Sequence, residues 1–123
     1  MSRITLVPPI PWAVDVSRPG GRYVRYLSDP RPGAGAGIWR TDQGRPERVT
    51  PLALVSIEIR GQNYEIRTIH PKTREIRTHE GDLDEIASAV ARGIPGTERR
   101  YVYWALYEFV QAAMRLAAGR GSP

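Results

Sequence analysis

Cysteine is absent from this chain, and lysine (Lys72), asparagine (Asn63) and phenylalanine (Phe109) each occur once. Without cysteine there is no disulfide, no thiol nucleophile and no thiolate metal site, an inventory that suits a reducing compartment. Long hydrophobic runs are missing too. The longest uninterrupted one covers residues 101–107 (YVYWALY), far short of the ~20 residues a membrane-spanning helix needs. The start, MSRITLVPPIPW, has prolines at positions 8, 9 and 11, where a signal peptide needs its apolar core. The expectation is a soluble, cytoplasmic protein with no membrane partner.

The shortage of lysine has a counterpart in 17 arginines. Arginine presents a planar, permanently charged fork that grips phosphate or carboxylate in two parallel bonds and stacks on rings. The abundance of Gly, Pro, Ala and Arg is also what GC-rich codons produce without selection on the protein. Net charge is +5. The excess lies in residues 1–50 and 97–123, whereas residues 81–96 are acidic. A basic surface of this kind is the electrostatic footprint of a nucleic-acid binder, though a modest one.

A chain of 123 residues is long enough for one core without staples. Residues 3–7 read as a short strand stopped by Pro8-Pro9. Residues 12–16 alternate Trp12, Val14, Val16 with Ala13, Asp15, and residues 22–27 form a further strand candidate, so a hairpin across 12–27 is expected. Residues 29–37 (DPRPGAGAG) offer no side chains to pack and read as a flexible loop. Ile38, Trp39 and Arg40 rejoin a sheet before a polar loop, residues 41–48.

The centre is more regular. Residues 52–59 (LALVSIEI) are expected to place Ala53, Val55, Ile57 and Ile59 on one face. A tight turn at Gly61-Gln62 sets Ile59 opposite Tyr64 and Ile57 opposite Ile66, so both strands bury the same side. His70-Pro71-Lys72-Thr73 is a second turn, leading into a strand over 74–80. Asp82 then caps a helix through Ala91, with Gly93 and Pro95 ending it. Thr97 is expected to cap a longer helix from about Glu98 to Ala118, ended by Gly119. Strands first and helices last imply an α+β fold, an antiparallel β-sheet with a central meander at 52–80 packed against two C-terminal α-helices. The expected boundaries are a single domain over 1–118 and a disordered tail over 119–123.

The last helix is unusually apolar around its circumference. At about 100° per residue, only Trp104, Glu108, Gln111 and Arg115 share a narrow stripe; the rest of 101–117 is apolar or tyrosine. Either the helix lies centrally, or its second side meets another subunit. Trp104 has Arg100 at i−4 and Tyr107 at i+3, a trio suited to a partner interface and equally to a brace on the helix surface.

The segment from 18 to 48 gathers seven arginines with Tyr23, Tyr26 and Trp39. Single-stranded nucleic acid is held by cations on its phosphates and rings against its bases. The candidate contact residues are Arg22, Tyr23, Arg25, Tyr26, Trp39 and Arg40. The plainer alternative is that the rings are core and the arginines solvated.

Catalytic and metal candidates are weaker. Gly33, Gly35 and Gly37 follow G-x-G-x-G, neither a dinucleotide fingerprint nor a P-loop. His70 and His79 stand apart, and HEGDL is not H-E-x-x-H. Glu80, Asp82, Asp84 and Glu85 crowd a helix start, where dipole and capping already favour acids. Glu58 and Glu65 face each other in the hairpin register, but Arg60 and Arg67 neutralise them. Pro8, Pro9 and Pro11 form either a polyproline ligand or a stiff connection. The expectation is a non-enzymatic binding protein with no catalytic residue, metal or cofactor. Nucleic acid is the leading partner, and a protein-protein module built on the apolar helix is the alternative.

Overall fold

A computed structural model describes residues 3–19, 24–26, 39–41 and 50–120. The strands are β1 (Arg3–Leu6), β2 (Trp12–Asp15), β3 (Val24–Tyr26), β4 (Trp39–Thr41), β5 (Pro51–Arg60), β6 (Asn63–Ile69) and β7 (Ile76–Gly81). The helices α1 (Leu83–Arg92) and α2 (Arg99–Arg120) follow. β1, β5, β6 and β7 form an antiparallel sheet in that order, with β2 also on β5, and β3 and β4 pair separately. α2 lies over β1 and β5, and α1 over β6 and β7. This is the expected α+β architecture: the meander and both C-terminal helices are present.

The meander keeps the register its turn dictates. Ile59 pairs with Tyr64 and Ile57 with Ile66 around Gly61, whose φ of 63° is open to glycine at little cost. The face assignment of β5 needs correction, because a bulge at Val55 shifts the register between Leu54 and Ser56. The extra residue reverses the alternation. Leu52 and Leu54 therefore join Ile57 and Ile59 in the core beneath the helices, while Ala53 is buried on the opposite side, paired with Ala13 and Ile69.

Among the described residues, β2 and β3 of the expected hairpin over 12–27 come close but do not pair with each other, and its turn lies partly outside those residues. β2 pairs with β5, setting Trp12 opposite Leu54 and Val14 opposite Leu52, and β3 pairs with β4. Apolar side chains gain more against the long central strand than against a polar neighbour. β1 and β2 run along the same edge of β5, interrupted by residues 7–11. Proline cannot donate to a ladder, so the PPIP stretch loops out opposite the Val55 bulge. It bends at Pro9-Ile10 and buries Pro11, so a polyproline ligand is not displayed. The expected loops over 29–37 and 41–48 lie outside the described residues, as do 121–123, except that Thr41 is the last residue of β4.

β7 begins two residues later than expected. Arg74 turns back with φ 64°, donating its N–H to the His70 carbonyl (2.8 Å). Asp82 caps α1 as expected, accepting from the Glu85 N–H at 2.8 Å while the Glu85 carboxylate accepts from the Asp82 N–H at 3.1 Å. Thr97 does not cap α2. Its hydroxyl donates to the Val16 carbonyl at 2.6 Å, tying the helix entry to the end of β2. Nor does Gly119 end α2, which runs on to Arg120.

The core gathers Val14, Leu52, Leu54, Ile57 and Ile66 from the sheet with Ile86, Val90, Val102, Leu106 and Phe109 from the helices. Phe109 is fully buried and meets Trp12 edge-on at 5.3 Å. Burying a side chain of that size contributes about 3 kcal/mol. Asp15, 1% exposed, is the buried charge of this region. Its carboxylate accepts from the Ser17 N–H (2.9 Å), the Ser17 hydroxyl (2.7 Å) and the Thr50 N–H (3.1 Å), with Arg18 at 3.3 Å.

Candidate functional site

α2 supplies the clearest candidate surface. Its inner face places Val102, Ala105, Leu106, Phe109, Val110 and Ala113 in the core. The outer face is not similarly covered. Trp104 is 47% exposed, Tyr107 42% and Met114 40%. A helix with one buried side normally shows charged and polar groups on the other. The wide apolar face seen in the sequence is thus only partly used by the monomer's own core.

Arg100 stands at the N-terminal end of this face and is well exposed. Its guanidinium lies over the Tyr101 ring, 5.2 Å from the centroid, and its Nε donates to Glu98 at 3.0 Å. The hydrogen bond to Tyr101 and the charge of Glu98 push its pKa still higher. Of the expected trio, Trp104 and Tyr107 present their rings outward, while Arg100 braces Tyr101 and Glu98. The sequence reading missed Met114. A step of seven residues on from Tyr107 was the available signal, since two helical turns return to the same face.

The proposed nucleic-acid residues are only partly described. β3 and β4 pair Arg25 with Arg40 and Tyr26 with Trp39. Arg22 and Tyr23 lie outside the described residues. The register therefore brings four of the six candidates together, in two like-with-like pairs.

Other polar groups have structural partners. Glu58, Glu65 and Glu80 form a cross-strand row on the sheet face away from the helices. Arg60 bridges them, at 2.6 Å from Glu58, 2.9 Å from Glu65 and 3.9 Å from Glu80. Asp84 binds Arg99 at 2.6 Å. His70 pairs with the Gly93 carbonyl through Nε2 (3.0 Å), while Nδ1 accepts from the Lys72 and Thr73 N–H groups. His79 meets the Thr68 hydroxyl at 3.2 Å; burial, aided by the charge of Arg77, lowers its pKa below the usual imidazole value. Among the described residues no group of three or more His, Asp or Glu is placed to hold a metal. Within the same residues no helix is long and apolar enough to cross a membrane.

A second apolar feature lies at the sheet edge. Ile4 and Leu6 of β1 and Ala113, Leu116 and Ala117 of α2 line an open groove. Comparison with protein-family models, curated proteins and solved structures yields no match to this chain.

Proposed function

We propose that this protein is a non-enzymatic docking module that contacts a protein partner through the outer face of α2. The observation that carries the reading is the exposure of Trp104, Tyr107 and Met114 along one side of a helix whose opposite side is buried from Val102 to Ala113. Aromatic anchors of this type dominate protein interfaces, because they cover much area at small entropic cost. Covering the remaining half of Trp104 alone is worth about 2 kcal/mol. We place this activity in the cytoplasm, where a cysteine-free chain suits the reducing conditions.

Site-specific photo-crosslinking tests the reading. A benzophenone side chain at position 104 or 107 is expected to capture protein, with Arg67 on the charged sheet face as the control position. Equal yields at all three positions would overturn it.

A second reading has its own support. The cross-strand pairing of Arg25 with Arg40 and Tyr26 with Trp39 groups cations and rings on one short ribbon, and the chain carries a net charge of +5. Contact with single-stranded nucleic acid through this ribbon, together with Arg22 and Tyr23, predicts salt-sensitive binding that weakens when Trp39 and Arg40 become alanine. Titration with single-stranded DNA and RNA checks it, and no binding at low salt refutes it.

A further inference from the structure

The outer face of α2 has a regularity beyond its apolarity. Arg100, Trp104, Tyr107, Gln111, Met114 and Ala118 follow one another at spacings of four, three, four, three and four residues. This alternation keeps a stripe of side chains facing a single partner helix. Five of the six are exposed and Gln111 is half-buried. Resting on the docking reading above, we propose that the occupant of this seam is α2 of a second copy, packed antiparallel about a twofold axis between Trp104 and Tyr107.

Charge decides the orientation. Parallel pairing would set Arg100 against Arg100 and Glu108 against Glu108. Antiparallel pairing with Trp104 of one copy against Tyr107 of the other sets Arg100 against Gln111, within one helical turn (about 5.4 Å) of Glu108 of the second copy. Both aromatic layers then fall at the centre, and the cation and acid fall at the rim. Around that axis Arg100, Trp104, Tyr107 and Gln111 form their own complement: each meets a different one, and each meeting occurs twice, as a twofold interface requires; Met114 and Ala118 lie beyond the paired region. Arg100 already holds Glu98 in solvent, so the new ion pair chiefly sets direction. A single helix pair covers less than the ~800 Å² per partner of a stable complex. The association is therefore a concentration-dependent exchange in the micromolar range.

The chain lacks cysteine, so introduced thiols report cleanly. An equimolar mixture of R100C and Q111C, oxidised with diamide, is expected to give a mixed disulfide dimer, and R100C alone only traces. Sedimentation over rising concentration is expected to show a monomer–dimer equilibrium. Trp104→Ala weakens it about tenfold or more. Arg100→Glu weakens it too, and adding Glu108→Arg to that variant restores it. Preferred R100C self-crosslinking, or a monomer at every concentration, overturns the proposal. If the monomer is found while benzophenone at position 104 captures a different protein, the docking reading stands and self-pairing falls. If nothing is captured, both fall.

Discussion

Replacing Asp15 with alanine tests how the N-terminal edge is locked to the rest of the domain. The carboxylate is 1% exposed and accepts three hydrogen bonds, two of them from the backbone N–H groups of Ser17 and Thr50. Beside it, Val16 donates to the Thr50 carbonyl at 2.9 Å and accepts from Thr97 at 2.6 Å. One carboxylate thus holds the end of β2, the entry to β5 and, through Val16, the entry to α2. Stranding a buried donor costs about 1–3 kcal/mol. Water reaches these partly buried donors, so two stranded N–H groups and a lost hydroxyl bond cost about 3 kcal/mol in total. That corresponds to a fall in Tm of about 12 °C for a domain of this size. Asp15→Asn keeps one accepting oxygen and costs about 1 kcal/mol. Urea unfolding followed by circular dichroism measures both. The reasoning is refuted if Asp15→Ala costs less than about 1 kcal/mol, or if Asn is as damaging as Ala.

Two further predictions follow from the sheet. Deleting Val55 closes the bulge yet keeps Leu52, Leu54, Ile57 and Ile59 on one face, because Leu54 and Ser56 already pair with the adjacent Thr68 and Arg67, so it should cost only about 1–2 kcal/mol; a loss of more than about 4 kcal/mol in urea unfolding would refute this. His79 has a lowered pKa in the fold, so below pH 6.5 the unfolded chain takes up a proton that the folded chain resists. Stability should therefore be full above pH 6.5 and decline as pH falls toward the folded value. His79→Gln should flatten that slope between pH 7 and 5 in thermal melts, and an unchanged slope would assign it to other groups.

The meander was legible because its turn chemistry and apolar alternation agree on a single register, as Ile57, Ile59, Tyr64 and Ile66 show. The capping box of α1 was legible for the same reason: Asp82 and Glu85 stand at the spacing that the geometry requires. The Val55 bulge was not, since a run such as LALVSIEI contains apolar residues on both parities and nothing marks the extra one. Placing β2 beside β5 requires comparing long-range partners, which local alternation cannot rank. Thr97 misled because a hydroxyl before a helix serves equally well as a cap or as a donor to a neighbouring strand. On α2, the position of Trp104 among polar residues revealed the outer face. Met114 was hidden, because apolarity alone does not say which side of a helix the core will use.

The claim that the outer face of α2 is a docking surface is tested most directly by size-exclusion chromatography with light scattering, comparing native extract containing the wild-type chain with extract containing Trp104→Glu combined with Tyr107→Glu. Both side chains are a little under half exposed, so the double variant should stay folded, with a Tm lowered by less than about 10 °C. The account predicts that the wild type elutes as part of a larger species and the double variant as a lone chain. Identical elution of the two would contradict it.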